Sequence, residues 1–205
     1  SAVAPTAAGR GTDEARRLYD AAVKLLQTHD PKALPTLVRA AAAGDPAAQF
    51  HLSKIYERGG AGQPADLTKA RMWAERAARA GVPEAMFNLG LFMYEGQGGP
   101  PDLPGAADWF TRAARLGLKD AQYNVARLYE NGYGVTQNYS LAYQWYLVAA
   151  DVSGDREAHA DADRLRPTLT AEGRKAAEHF ARTFRPAPAT ASASAPTTGK
   201  VAEVR

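Results

Sequence analysis

With 205 residues, 45% of them hydrophobic and 23% charged, the chain has an ordinary globular balance and room for one domain with tails. It contains no cysteine, which excludes disulfide scaffolds, thiolate zinc sites and cysteine nucleophiles. The net charge of +3 arises from interleaved acids and bases rather than a Lys/Arg stripe, so nucleic acid is not an expected partner, and no apolar run approaches the roughly 20 residues that span a bilayer.

The chain begins at Ser1 without a signal-peptide apolar segment, as a processed protein or an excised piece of a longer one would. Residues 1–11 are small residues with Pro and Gly, expected to form a flexible tether. Thr12 reads as the N-cap of a first helix, with Asp13 and Glu14 in its first turn and Ala15, Leu18, Tyr19, Ala22, Leu25 and Leu26 at helical spacing. A second helix is expected from Pro31 through Leu34, Leu37, Val38 and Ala41 to a stop at Gly44. Residues 12–44 thus form a degenerate first helix pair.

One phrase then occurs three times: AQFHLSKIYERG (48–59), AMFNLGLFMYEG (85–96) and AQYNVARLYENG (121–132). Each is followed by a Gly-rich turn and a second phrase centred on Trp73, Trp109 or Trp145, a spacing of 36 and 36. This divides 45–154 into repeats 45–81, 82–117 and 118–154. Asp66, Asp102 and Asn138 are in register as N-caps of the second helices. Gly59, Gly96 and Gly132 close the first helices, and Gly81 and Gly117 close two of the second ones. Residues 155–167 read as a polar helix stopped by Pro167. Thr170 then caps a last helix with Ala177, Phe180, Ala181 and Phe184 on one face, so that 155–185 cap the stack. Residues 186–205 are Ala/Pro/Ser/Thr-rich and expected to be a disordered tail.

Counting each first helix from its leading alanine (Ala48, Ala85, Ala121), offsets 0, 4, 5, 7 and 8 share a face at about 100° per residue. Offset 5 is always small (Ser53, Gly90, Ala126), which lets a neighbouring helix approach. The tryptophans are expected to be packing blocks between stacked pairs.

These phrases resemble the Sel-one-like repeats, relatives of the tetratricopeptide repeats, whose pattern runs approximately A-x-x-x-L-G-x-x-Y-x-x-G-x-G-V, a cap, then A-x-x-W-[YF]-x-x-A-A-x-x-G. The match covers roughly residues 32–154. It departs from the pattern in an extra residue in the turn GGAGQPAD, in Met93 where tyrosine is usual, and in Gly99 where repeat three has Val135. The resemblance implies an all-α fold, a right-handed superhelical α-solenoid of antiparallel helix pairs closed by a C-terminal capping helix, acting as an adaptor for other proteins. A cysteine-rich branch of that family is linked to β-lactams, which a chain without cysteine gives no reason to carry over. The Ala/Pro-rich flanks and last helix are also similar to the periplasmic repeat segment of PodJ-like polar-localisation factors, which are anchored by one membrane helix.

No catalytic constellation emerges. His29, His51, His159 and His179 lie on different segments. His159 and Asp163 share a helix face, but two ligands do not make a metal site. GQGG (96–99) and GYG (132–134) follow no strand and precede no Lys-Ser/Thr, so they read as turns and not phosphate loops. Asp108, Glu75 and Glu130 sit singly among arginines as surface ion pairs would. No metal, cofactor or catalytic residue is therefore expected.

What remains is the outward face of the first helices, offsets 3, 6 and 10: His51, Lys54 and Arg58; Asn88, Leu91 and Glu95; Asn124, Arg127 and Asn131. In tetratricopeptide-like stacks that face is concave, and these residues form the candidate partner-binding groove for an extended peptide or peptide-like polymer. The expected function is a non-enzymatic protein–protein scaffold of the bacterial envelope, periplasmic and part of a polar-localisation or organelle-development factor. The alternatives are a peptidoglycan-binding module and, more remotely, an enzyme acting on cell wall or β-lactams.

Overall fold

A computed structural model describes residues 7–188, with side chains from residue 11 onward except those of 152 and 153. Among these residues there are ten α-helices and no strand. They fall into two compact units, one ending at Ala85 and the other running from Met86 to Pro188.

The first unit holds α1 (Ala7–Gln27), α2 (Ala33–Ala42), α3 (Pro46–Arg58) and α4 (Leu67–Arg79). Its core gathers Tyr19 and Ala22 of α1, Leu37, Ala40 and Ala41 of α2, Ala47, Ala48 and Leu52 of α3 and Trp73 of α4. Residues 7–11, expected in the tether, are helical, and Thr12 lies inside α1 instead of capping it. A cap residue ends a helix only where the backbone turns out of it, and here the helix carries on past Thr12. α2 starts two residues after Pro31, because Asp30 turns back on itself: its Oδ1 accepts the Lys32 N–H at 2.8 Å. Asp45 is buried. It caps α3 by accepting the Ala48 N–H at 2.8 Å and holds α1 through Arg16 Nε at 2.9 Å. Burial pushes its carboxyl above the usual carboxylate range.

The extra residue of the repeat-one turn is absorbed by a tight loop. Gly60 and Gln63 exchange two backbone hydrogen bonds of 2.9 Å, and Ala61 takes a left-handed φ of 50°. The small residue at offset 5 behaves as the spacing predicts: Ser53 is fully buried and its hydroxyl donates to the Ala70 carbonyl of α4 at 2.8 Å.

The second unit holds most of α5 (Pro83–Glu95), then α6 (Leu103–Arg115), α7 (Lys119–Asn131), α8 (Tyr139–Ser153), α9 (Arg156–Leu165), a 3-10 turn at Arg166–Thr168 and α10 (Ala171–Thr183). Side chains of Asp102 and Asn138 cap α6 and α8 at 2.9 and 3.0 Å, as Asp66 caps α4 at 3.0 Å. At offset 5 of α5, a Cβ on Gly90 would stand 2.6 Å from the ring of Phe110, so the missing side chain is what admits that ring.

Trp73 and Trp145 are packing blocks, 7% and 4% exposed. Trp109 is only half-buried, and the Arg112 guanidinium lies over its ring at 4.8 Å. In that repeat the next residue, Phe110, is the buried aromatic.

The segment after repeat three is a fifth helix pair, in register with the three repeats. Ala158 follows Ala121 by one period, and Ala158, Ala162 and Leu165 are buried at offsets 0, 4 and 7. Thr170 caps α10, accepting the Gly173 N–H at 3.1 Å. Ala177 takes the register of the tryptophans and is buried, while Phe180 and Phe184 pack edge-on against Trp145 at 5.8 and 5.7 Å. The chain then meets the C-terminal end of α6: Pro186 rests over Gly117, and the Ala187 N–H donates to the Arg115 carbonyl at 2.9 Å. The expected tail therefore begins as a strap, and its remainder, 189–205, lies outside the described residues.

Candidate binding groove

In the second unit the exposed sides of α5 and α7 enclose a cavity of about 220 Å³. Leu91 and Glu95 come from α5, and Asn124, Arg127 and Asn131 from α7, so five of the sequence-derived positions converge there. Asn88 does not line it, and its Nδ2 is buried without a hydrogen-bond partner. The floor is apolar, made by Leu91, Leu128 and the Phe110 ring that Gly90 admits.

Two tyrosines that register analysis left out complete the walls. Tyr94 and Tyr133 are 37% and 45% exposed, with ring centroids 6.4 Å apart. The signal was present in the sequence: Tyr94 stands at offset 9, out of phase with the core positions, and Tyr133 follows the helix-ending Gly132. The turn that carries Tyr133 is pressed against α6, since a Cβ on Gly134 would lie 2.2 Å from the Leu103 carbonyl oxygen.

The polar groups are arranged unevenly. Asn124 and Asn131 each donate one amide hydrogen to their own helix, to the Asp120 and Arg127 carbonyls at 2.7 and 2.8 Å. Their Oδ1 atoms are left as acceptors. Arg127 and Glu95 are exposed and have no ion-pair partner among the described residues.

The three positions of the first unit are placed differently. His51 is largely withdrawn against Tyr19, ring centroids 6.2 Å apart, and burial lowers its basicity. Lys54 is paired with Glu57, and Arg58 is exposed.

Behind the groove, Glu130 ties three helices together. It is 16% exposed, accepts the Tyr146 hydroxyl at 2.8 Å and pairs with Arg164 of α9 at 2.7 Å. Arg164 also holds Asp161 at 2.8 Å, and Asp161 accepts the Tyr123 hydroxyl at 3.0 Å. The Arg164 contact holds the Glu130 carboxyl below the usual range, while burial and the neighbouring carboxylates push the Tyr146 and Tyr123 hydroxyls up. Unlike Glu75 and Asp108, which pair with Arg79 and Arg112 one turn along their own helices at 2.7 and 2.9 Å, Glu130 is therefore no surface pair. Among the described residues no three His, Asp or Glu side chains approach closely enough to hold a metal ion. No helix there is long and apolar enough to cross a membrane.

Buried amides also join successive repeats. Gln122 Nε2 donates to the Ala114 carbonyl at the end of α6 at 3.2 Å, and Gln49 Nε2 to the Ala41 carbonyl of α2 at 3.1 Å. Glutamine at offset 1 in two of three copies was the available signal; repeat two has Met86 there.

The model of the Sel1 repeat matches residues 46–82, 83–118 and 119–152. The localization factor PodJL of Caulobacter vibrioides is 45% identical over 64 residues, 31% of this chain but only 7% of that protein. A Sel1 repeat protein from Oxalobacter formigenes superposes with a TM-score of 0.58 at 35% identity, covering 65% of this chain and 98% of that one. A protective antigen of uropathogenic Escherichia coli strains, displaying an SLR fold, superposes with a TM-score of 0.55 over 83% of this chain and 45% of that one. At 22% identity it speaks to the fold alone.

Proposed function

This chain belongs to the Sel1 repeat family, whose α-solenoids generally serve as protein-interaction scaffolds, and on that premise we propose that it binds a segment of a partner protein in the α5–α7 groove and performs no catalysis itself. The observation that carries this reading is the convergence of variable repeat positions on one cavity. Leu91, Glu95, Arg127 and Asn131 stand at offsets where the three copies differ, and Asn124 at one where repeat two also has Asn. All five line a pocket with an apolar floor, while offsets 0, 4 and 7 are apolar in every copy. The similarity to a localization factor supports a role in localisation; we further propose that this role is polar and that the segment acts in the periplasm of a bacterial cell envelope.

A photo-crosslinking residue at position 127, introduced in the source bacterium, tests the reading. Crosslinks to a defined protein that vanish with Tyr133→Ala but survive Arg112→Glu on the far side of α6 are the expected result. Crosslinks indifferent to Tyr133→Ala sink it. Co-sedimentation of the purified chain with sacculi, abolished by Asn124→Ala, would assign the groove to peptidoglycan instead.

A further inference from the structure

The groove has a size and a spacing that select among ligands. Resting on the reading that it takes a partner segment, we propose that its occupant is a proline-rich stretch of a partner protein in the polyproline II conformation, with an acidic side chain set against Arg127.

A cavity of about 220 Å³ is below the roughly 300 Å³ at which clefts for small molecules begin, and suits inserted side chains of a peptide. Above the floor, Asn124 and Asn131 are seven residues apart on one face of α7. At 1.5 Å per residue their backbones are separated by about 10.5 Å along the helix axis. One turn of polyproline II is three residues at 3.1 Å, about 9.3 Å. An extended strand presents one edge every two residues, about 6.7 Å, and its next multiple is about 13 Å. Of the two extended conformations, polyproline II comes closer to bringing equivalent groups of a ligand under both amides without bending. A helical ligand would match the spacing, yet its backbone N–H groups are already bonded within the helix and cannot donate to the asparagines. Polyproline II has no internal hydrogen bonds, so its non-proline N–H groups are free to donate to the two Asn Oδ1 atoms.

The tyrosine pair points the same way. Adjacent, exposed rings over an apolar floor are the surface on which proline rings pack, and such a ligand loses little entropy because its conformation is preformed. Charge then fixes direction. Arg127 lies between the two asparagines on α7, while Glu95 projects from the α5 wall. An acidic residue is accommodated on the α7 side and repelled on the other.

The test uses the 205-residue chain and a fluorescein-labelled twelve-residue peptide of Pro-x-x-Pro repeats with one central Glu, read by anisotropy. A control peptide has Gly for every Pro, and a third has Lys for Glu. Expected is saturable binding, weakened at least tenfold by the Gly peptide and by Tyr133→Ala, and several-fold by Asn124→Ala or Asn131→Ala. Arg127→Glu should reverse the preference from the Glu to the Lys peptide. Far-UV circular dichroism and Tm of each variant, unchanged from the parent, exclude unfolding as the cause. Equal binding of the Gly peptide, no saturation by about 1 mM, or no reversal with Arg127→Glu overturns the proposal. Binding that emerges only when residues 189–205 are deleted would give the groove to this chain's own tail, and self-association lost with Tyr133→Ala would give it to a second copy. Protein crosslinks from position 127 that persist when the peptide fails would leave the scaffold reading standing and remove only the polyproline ligand.

Discussion

Gly134→Ala tests how the groove wall is held. Gly134 has φ +72°, and a Cβ there would stand 2.2 Å from the Leu103 carbonyl oxygen and 2.9 Å from the Pro104 nitrogen. Left-handed backbone costs an L-residue about 1–2 kcal/mol. Forcing a methyl group against backbone atoms adds roughly 1–3 kcal/mol, because neither chain can yield without moving a helix end. The expected loss is therefore about 2–5 kcal/mol. Gly154 supplies the internal control: its φ is +63°, and an added Cβ meets nothing within 4 Å. Gly154→Ala should cost only the conformational part, about 1–2 kcal/mol. Asn tolerates left-handed backbone, so Gly154→Asn should be close to neutral while Gly134→Asn remains damaging. Urea titrations followed by far-UV circular dichroism measure all four, compared at unchanged m-value. Equal costs for Gly134→Ala and Gly154→Ala would refute the claim that the Tyr133 turn is pinned by contact with α6.

Trp145→Ala should cost about 3–5 kcal/mol and expose the α10 segment to limited proteolysis, because Phe180 and Phe184 lose the ring they pack on; Trp109→Ala, at a half-buried site, should cost less. Gln122→Met, which copies Met86 of repeat two, should cost less than about 1.5 kcal/mol because the Ala114 carbonyl keeps the Gly117 N–H, whereas Gln122→Ala should cost more by leaving a cavity, as thermal unfolding will show. The Glu130–Arg164 contact predicts a pH dependence. Glu130 has a folded-state pKa below its ordinary 4.5, so the contact's stabilisation is present above pH 4.5 and is lost as pH falls through the folded value. Glu130→Gln should flatten that part of the urea-midpoint profile below pH 4.5, and an unchanged slope would count against the contact.

Much of this molecule is written in its period. Repetition of Ala48, Ala85 and Ala121 with the caps Asp66, Asp102 and Asn138 determined the helix pairs, since a helix start needs an acceptor for its free N–H groups and a buried face needs apolar residues every 3.6 positions. The same logic extended to Ala158 would have revealed the last pair, which its charged neighbours obscured. It also brought five of nine groove positions to one cavity in the second unit.

Tertiary structure alone decided the rest. Periodicity says which face a residue is on, but not what a neighbouring element places against it. Thus His51, outward by register, is claimed by Tyr19 from the degenerate first pair. Glu130, a lone carboxylate in sequence, is joined to an arginine 34 residues away. Tyr94 and Tyr133, 39 residues apart, become neighbours because Gly90 admits Phe110 and Gly134 lets the turn sit on α6. Local propensity and period are properties of a few adjacent residues and can be read along the chain. The groove wall is made where separate repeats meet, and close contacts between distant backbones set its position.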